Sequence, residues 1–173
     1  MIRVSHASRL WAATMLAALA GCVSGGSHAP PSPRLAGAAL DDFHDAAANA
    51  DFDRYMRRWT DRSVFLGTDA TERWTGQEFR DFARPHFDQS KGGKGWTYHP
   101  RARRITAIDQ DHAYFDELLD HAKLGECRGS GVLGWEDGRW KVLQYNLSIP
   151  IPNALAEDFA GRIKQHASEQ PGR

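Results

Sequence analysis

Four polar side chains with complementary chemistry lie in the most strand-like part of the sequence. Glu117 has a carboxylate that can act as a general base, and Tyr145 has a phenol that can donate a hydrogen bond to a developing negative charge. Arg128 can orient a carboxylate, and Ser130 adds a hydroxyl. On one apolar face they would line a small-molecule pocket, which has apolar walls and a few convergent polar groups. The alternative is a buried structural ion pair.

One turn sets the register of the strands that carry these residues. Residues 115–153 read as three consecutive antiparallel strands, and Asp137-Gly138 between two apolar runs predicts a two-residue type I′ hairpin. The facing pairs would then be Trp135 with Trp140, Leu133 with Val142, Val132 with Leu143, and Ser130 with Tyr145.

The preceding turn has no Asn-Gly or Asp-Gly signal. An even loop over residues 122–125 would place Glu117 opposite Ser130 and Leu119 opposite Arg128. Because side chains alternate between faces, one face would carry a mostly apolar set: Phe115, Glu117, Leu119, Arg128, Ser130, Val132, Leu143, Tyr145 and Leu147. A loop one residue longer or shorter would separate Glu117 from the other polar residues. Cys127 would lie on the opposite face, where we expect a buried, inert thiol.

Two helices are predicted ahead of the strands. Phe43 and Ala47 belong to an apolar pattern with helical spacing over residues 35–49, and Asp51 is placed to cap a second, short helix. His44 lies next to Phe43, and we expect a surface or hydrogen-bonded histidine rather than a ligand.

A polar loop follows the first short strand, which spans residues 63–68. Asp69 and Trp74 in this loop are candidate ligand-binding residues, because loops held on a rigid scaffold often carry function; a solvated loop is the alternative. Thr75 and Glu78 then form a capping box that opens a helix, and Pro85 should kink or shorten that helix.

The remaining elements complete the predicted domain. Residues 96–108 form a strand broken at Pro100, with Arg101, Arg103 and Arg104 on its solvent side, and residues 112–121 form the next strand. Asn153 should cap a final helix. Its apolar face would carry three residues: Leu155, Phe159 and Ile163.

The N-terminus reads as a targeting segment. Arg3 and Arg9 flank the start of an apolar run, residues 10–20, that is too short to span a membrane as a mature helix. The run ends in Leu19-Ala20-Gly21-Cys22, which resembles the bacterial lipobox, where the signal is cut before the cysteine and the thiol is lipidated. An ordinary signal peptide with an incidental cysteine is the alternative.

The lipobox resemblance implies a location. We expect a signal peptide over residues 1–21, a flexible Ser/Gly/Pro linker over residues 22–34 that begins with lipidated Cys22, one domain over residues 35–168 and a tail over residues 169–173. Val23 rather than Asp follows the cysteine. By resemblance to lipoproteins of two-membrane bacteria, this favours the periplasmic face of the outer membrane.

Composition excludes some classes of partner. The chain has 173 residues and a formal net charge of +0, without a basic block, so we expect no nucleic-acid partner. A metal site would need convergent ligands, and those available alternate between strand faces: His112, Asp116, Glu117, Asp120 and His121. We therefore predict no metal and no cofactor.

The order of elements predicts an α+β fold, with helices gathered against a curved antiparallel sheet. Together with several short motifs, this order resembles the cone-shaped fold of the nuclear transport factor two superfamily, and in particular its SnoaL-like domain proteins. The motifs are Gly67-Thr68-Asp69, Glu72-Arg73-Trp74, Phe115-Asp116-Glu117, Arg128-Gly129-Ser130-Gly131-Val132, Trp140-Lys141-Val142 and Gln144-Tyr145-Asn146-Leu147. The resemblance covers residues 36–165. It implies a pocket for a small organic ligand but no particular activity, because this fold hosts isomerases, dehydratases, cyclases and binding modules.

Two functions stay open at this level. In an isomerase-, dehydratase- or cyclase-type enzyme, Glu117 would be the acid or base and Tyr145 would stabilise an oxyanion, although Arg128 beside Glu117 would lower its pKa. In a binding module, the anchored domain would capture a small ligand, or a protein partner, and dimerise through the outer face of the sheet. An exposed Trp135–Trp140 pair would suit that interface unless a helix of the same chain covers it.

Overall fold

A computed structural model describes residues 32–169. The predicted signal peptide, Cys22 and nearly all of the linker lie outside the described residues, as do residues 170–173. Within this range the helices are α1 (Pro33–Ala48), α2 (Phe52–Met56), α3 (Gly76–Phe87) and α4 (Ala156–Glu169). The strands are β1 (Trp59–Leu66), β2 (Arg73–Thr75), β3 (His99–Ala107), β4 (His112–His121), β5 (Gly125–Glu136) and β6 (Arg139–Ser148).

The six strands form one curved sheet in the order β2-β1-β6-β5-β4-β3. The α+β class and the cone-shaped fold are confirmed, with one difference from the prediction: β1 runs parallel to β6, so the sheet is mixed. The short edge strand β2 was predicted as part of a loop. The helices α1, α2 and α3 pack around the concave inner face of this sheet.

Local capping chemistry fixes where the helices begin. The Asp51 carboxylate accepts a hydrogen bond from the backbone N–H of Arg54 at 3.0 Å, as expected of an N-cap. The Glu78 carboxylate accepts hydrogen bonds from the backbone N–H of Thr75 at 3.0 Å and from its hydroxyl at 2.8 Å. The α3 helix continues through Pro85 and ends two residues later. Pro85 thus lies inside the last turn of the helix.

The type I′ hairpin is confirmed, but the turn before it is not. Asp137 and Gly138 have φ values of 53° and 72°. At the β4–β5 turn, Gly125 has a φ of 72° and pairs with His121, so the loop has three residues rather than four. Glu117 consequently pairs with Gly129 instead of Ser130, and every side chain of β5 lies on the face opposite to the one predicted.

A β-bulge changes the register a second time. Leu133 pairs with Val142 as predicted, but Val132 pairs with Gln144, so Leu143 is an extra residue in β6. The bulge reverses the orientation of the following residues relative to the hairpin. As a result Tyr145 faces the same side as Glu117, as the sequence predicted, although the predicted pairing of Tyr145 with Ser130 is wrong.

The predicted aromatic interface is also wrong. Trp140 is 4% exposed, and its ring lies edge-to-face against Trp135 with centroids 5.6 Å apart. Both rings lie on the inner face, where α1 packs against β6. A helix of the same chain therefore covers this pair.

The C-terminal helix differs from the others. Ile149 and Ile151 are exposed between β6 and a 3-10 turn at Asn153–Leu155, which α4 follows directly. No residue of α4 is buried, and the predicted apolar face is confirmed but open to solvent: Leu155, Phe159 and Ile163. In the part of the chain that the structure describes, no helix has the length and apolarity needed to cross a bilayer.

Candidate ligand-binding cavity

The inner face of the sheet and the helices enclose a cavity of about 180 Å³. Aromatic rings form most of its wall and come from three places. Phe43 and Tyr55 come from α1 and α2, and Phe65 and Tyr145 come from the sheet. The other four rings surround the mouth, which is the end of the cavity that opens to solvent: Trp74, Phe82, Trp96 and Tyr98. Phe82 and Leu124 also line the cavity and are 37% and 40% exposed, so the cavity opens to solvent beside them.

A polar cluster lies at the buried end of the cavity. The Glu117 side chain is 0% exposed and receives three contacts. His44 Nε2 lies 2.6 Å from Glu117 Oε1, the Tyr145 hydroxyl donates to the same oxygen at 3.0 Å, and Arg103 Nε donates to Glu117 Oε2 at 2.8 Å. His44 and Tyr145 line the cavity, whereas Glu117 and Arg103 lie behind them. The carboxylate therefore reaches the cavity only through its two partners.

The cation beside Glu117 is Arg103, not Arg128. Arg103 was predicted on the solvent side of its strand, but it lies on the same strand face as the half-buried Ile105 and faces inwards. Its guanidinium also donates to Asp41 at 2.7 Å and to the carbonyl oxygen of Gly37 at 3.0 Å. The guanidinium therefore ties α1 to β3 and β4 while it pairs with the carboxylate.

Gly129 makes room for this cluster. A Cβ at this position would clash with the Tyr145 hydroxyl and would come within 3.0 Å of Glu117 Cγ. Because Gly129 pairs with Glu117 across the β4–β5 ladder, its missing side chain is what allows the phenol to reach the carboxylate.

The charges of the cluster follow from its geometry. Burial raises the pKa of the Glu117 carboxyl, but the hydrogen bonds and charges of His44 and Arg103 outweigh it and hold this pKa below its usual range. Burial, followed by the adjacent Glu117 carboxylate, raises the pKa of Tyr145 well above its usual range. Glu117 is thus an anion and Tyr145 a neutral hydrogen-bond donor.

A second carboxylate belongs to the mouth of the cavity. Glu72 lines the cavity next to Gly67, and its Oε2 accepts a hydrogen bond from the backbone N–H of Asp69 at 3.2 Å. A Cβ on Gly67 would overlap the Glu72 side chain, so the carboxylate lies directly against the backbone of residue 67.

The sequence-predicted ligand-binding residues divide into two groups. Trp74 lines the cavity, as expected. Arg128 and Ser130 lie on the outer face of β5, because the three-residue turn reverses that strand. Asp69 is exposed in the turn between β1 and β2, where its carboxylate accepts hydrogen bonds from the backbone N–H and hydroxyl of Thr71 at 2.8 and 2.6 Å. These three residues are absent from the cavity wall.

Two residues of the cluster escaped prediction, although the sequence contains a signal for each. His44 follows Leu40 by four residues and precedes Ala47 by three, so it occupies the buried face of α1. Arg103 has the same strand parity as Ile105. In both cases the sequence indicated a buried polar residue, because His44 and Arg103 each occupy a position that the helix or strand pattern assigns to an apolar side chain.

The structure adds two facts about ligating side chains. Among residues 32–169, no group of three or more His, Cys, Asp or Glu side chains is arranged to hold a metal ion. Cys127 is fully buried on the inner face, and burial raises the pKa of its thiol. The predicted burial of Cys127 is confirmed, but the residue lies on the inner face of the sheet rather than on the outer face expected from the sequence.

Known structures share this fold. An NTF2-like protein of unknown function from Pseudomonas putida matches with a TM-score of 0.54 at 13% identity, over 68% of this chain and 86% of that one. A candidate aromatic ring hydroxylase from Novosphingobium aromaticivorans matches with a TM-score of 0.56 at 16% identity, over 69% of this chain and 89% of that one. A candidate scytalone dehydratase from the same species matches with a TM-score of 0.53 at 13% identity, over 68% of this chain and 83% of that one. At these identities the likeness establishes the fold alone.

Sequence comparison defines the family. No curated protein sequence matches the chain. The family model described as the SnoaL-like domain matches residues 37–152, which include the cavity wall and the whole polar cluster. The chain therefore belongs to the SnoaL-like domain family.

Proposed function

We propose that this protein binds a small organic ligand in the aromatic cavity. The observation that carries the proposal is a cavity of about 180 Å³ with aromatic walls and two polar groups, His44 and Tyr145, at its buried end. Apolar walls with a few convergent polar groups are typical of ligand sites. An apolar cavity of roughly 150 Å³ holds benzene, so a ligand with one substituted ring fits the enclosed part.

Titration with a one-ring probe tests this proposal. Binding of tert-butylbenzene to the purified full chain is followed by isothermal titration calorimetry. The variant Thr68→Trp places a large ring at the cavity mouth and should abolish binding, whereas Thr106→Trp adds the same ring at an exposed position on β3 and should preserve it. Unchanged binding in Thr68→Trp, or none in the native chain, would contradict a ligand-binding cavity.

A second candidate function is proton transfer on a bound substrate. The 2.6 Å contact between His44 Nε2 and Glu117 Oε1 favours it, because in a neutral ring a carboxylate that accepts the Nε2–H fixes the tautomer in which Nδ1 has the lone pair. His44 Nδ1 has no hydrogen-bond partner among the described residues, and His44 lines the cavity. In this mechanism His44 is the base, and Glu117 positions it instead of acting as the base itself.

Tyr145 has a defined place in that mechanism. Its neutral hydroxyl lies on the cavity wall and donates a hydrogen bond to Glu117. Redirected towards a substrate carbonyl, it would stabilise the oxyanion that forms when a neighbouring C–H loses its proton to His44.

Hydrogen–deuterium exchange distinguishes this enzyme from a simple binder. The probe is 1-phenyl-2-propanone, whose α-proton exchange in D2O is followed by NMR. The native chain should accelerate exchange, and His44→Gln should lower the rate by roughly 100-fold or more. His99→Gln, which changes an exposed histidine of β3, is the matched control. Equal rates for the native and His44→Gln chains would exclude a role for His44 in proton transfer.

We also propose that Cys22 carries a lipid that anchors the domain at the periplasmic face of the outer membrane. The support is the Leu19-Ala20-Gly21-Cys22 motif after the charged and apolar segments. Cys22→Ser should move the protein from the detergent phase to the aqueous phase in a cloud-point partition. Detergent-phase recovery of both chains would refute lipidation at this cysteine. Density fractionation of the membranes tests the outer-membrane assignment.

Finally, we propose that two copies of the domain associate through α4. Its apolar face has no cover among the described residues, and the outer face of the sheet has an apolar groove lined by Val64, Leu66, Val132 and Leu143. Arg73 at the edge of this groove complements Glu157 and Asp158 at the start of α4. Pro150 and Pro152 stiffen the connection between β6 and α4.

Sedimentation velocity tests the dimer. Phe159→Asp places a charge in the apolar face of α4 and should shift the population towards monomer. Gly161→Asp adds the same charge on the opposite side of the helix and should leave the dimer intact. A native chain that stays monomeric, or a dimer that tolerates Phe159→Asp, would rule out this interface.

A further inference from the structure

The mouth of the cavity has an uneven charge distribution. Among the described residues that line the cavity, Glu72 is the single acidic side chain, and neither lysine nor arginine is present. The other carboxylate nearby, Glu117, lies behind the wall and is paired with Arg103. The charge of Glu72 is therefore the one that a ligand entering the cavity meets first.

The Glu72 carboxylate is held in place but is not saturated. Gly67 leaves the space that the side chain occupies, and the backbone N–H of Asp69 binds Oε2. An ionised carboxylate accepts about four hydrogen bonds. The described residues supply one, so the group keeps most of its capacity for a donor or cation brought by a ligand.

Aromatic faces surround the same opening. Trp74 and Phe82 stack with ring centroids 4.1 Å apart, and Trp96 lies 6.3 Å from Phe82. Tyr98 completes the group of four rings at the mouth. Tryptophan and tyrosine faces attract organic cations through the ring quadrupole, and the attraction grows when water is excluded.

Glu72 acts on its neighbours electrostatically. Burial, with smaller contributions from Cys127 and Glu72, raises the pKa of Tyr98 to about 12. A negative charge that disfavours a second anion at this point favours a cation there for the same reason.

From this arrangement we infer that the cavity selects ligands with a positively charged group, a quaternary ammonium or a protonated amine, over neutral molecules of the same shape. The ring of the ligand would lie in the enclosed aromatic part, and its cationic group would lie at the mouth between Glu72 and the rings of Trp74 and Trp96. This inference rests on the proposed ligand-binding function and specifies the ligand class of the same cavity.

A pair of isosteric probes tests the inference. Phenyltrimethylammonium and tert-butylbenzene have the same shape and differ in the charged nitrogen. A plain apolar cavity prefers the neutral probe, because removing a cation from water is costly. Calorimetric titration of the native full chain should instead show about tenfold tighter binding of phenyltrimethylammonium.

Three variants locate the source of this preference. Glu72→Gln keeps the shape of the side chain and should weaken phenyltrimethylammonium about tenfold while leaving tert-butylbenzene unchanged. Asp81→Asn removes the same charge from an exposed position on α3, outside the cavity wall, and should change neither affinity. Gly67→Ala keeps the charge but displaces the Glu72 side chain, so this variant should also show a smaller preference for phenyltrimethylammonium over tert-butylbenzene.

The possible outcomes separate the two proposals. If tert-butylbenzene binds as tightly as phenyltrimethylammonium or more tightly, the preference for cations is refuted while the ligand-binding cavity stands. A loss of both affinities in Glu72→Gln would also refute the inference, since the residue would then shape the cavity rather than recognise charge. If neither probe binds the native chain, the proposed function itself fails.

Discussion

Two carboxylates serve the cavity from opposite ends and differ in almost every respect except residue type. Glu117 has no exposed surface and is surrounded by His44, Tyr145 and Arg103, whereas Glu72 is half-buried at the mouth with one hydrogen bond among the described residues. The Glu117 carboxylate lies behind the cavity wall and is held by three partners, so a ligand in the cavity does not reach it. The Glu72 carboxylate lines the cavity and can accept further hydrogen bonds, but it contributes little to the stability of the fold. The surroundings of a side chain, rather than its type, therefore decide which carboxylate holds the fold and which can bind.

The largest expected effect comes from removing the buried carboxylate. Glu117→Ala leaves Arg103 buried without its main partner and deprives His44 and Tyr145 of an acceptor. Breaking a buried ion pair on one side costs about 3–5 kcal/mol, so the free energy of unfolding should fall by that order in a urea titration. A loss below about 1 kcal/mol would mean that the cluster does not stabilise the fold.

The next effect comes from the space beside Glu117. Gly129→Ala should destabilise the protein by about 1–3 kcal/mol, because the added Cβ meets the Tyr145 hydroxyl and the Glu117 side chain. Gly161→Ala is the matched control. Position 161 is open and lies inside α4, so this substitution should stabilise the helix by about 0.5–1 kcal/mol. Equal effects at the two positions would show that Gly129 is not a packing requirement.

The pH dependence of stability sharpens the comparison. The pKa of Glu117 is lower in the folded protein than in the unfolded chain, so its contribution is fully present above the unfolded value of about 4.3. This contribution is lost as the pH falls through the depressed folded value. Glu117→Gln should therefore show a smaller loss of unfolding free energy than the native chain when the pH is lowered from about 5 to 3 in urea titrations. Parallel curves for the two chains would contradict the depressed pKa.

The smallest effect is expected at the mouth. Glu72→Gln should change the free energy of unfolding by less than about 0.5 kcal/mol, because the carboxylate is partly solvated and accepts a single backbone hydrogen bond. Chemical denaturation beside Glu117→Ala measures the contrast directly. A loss comparable to that of Glu117→Ala would remove the distinction between the two carboxylates.

Local chemistry made much of the fold predictable from sequence. The bounds of β4, the caps at Asp51 and Thr75 and the Asp137-Gly138 turn follow from spacing and turn preferences within a few residues. The register next to the Asp137-Gly138 turn followed as well. The register of β4 on β5 and that of β6 beyond Leu143 did not, because each depends on a feature that spacing does not reveal. Gly125 adopts a left-handed conformation that makes the first loop odd, and Leu143 is accommodated as a bulge.

The candidate site was predictable in part for the same reason. The odd loop reversed β5 and removed Arg128 and Ser130 from the inner face. The bulge reversed β6 beyond Leu143, which kept Tyr145 with Glu117. His44 and Arg103, the partners of Glu117 from other elements, depend on how α1 packs on the sheet and how β3 pairs with β4. The residue pattern of a single strand contains no information about either arrangement.

The lack of buried residues in α4 sets a limit on the cooperative unit of this protein. A helix with no buried residue gains nothing from the packing of the core, and an isolated helix of this length is marginal in water. Within one chain, the free energy that protects the backbone amides of residues 156–169 from exchange is therefore independent of the free energy that protects the sheet. We expect the residues as far as Ser148 to unfold as one unit, whereas the stability of α4 depends on the surface to which it binds.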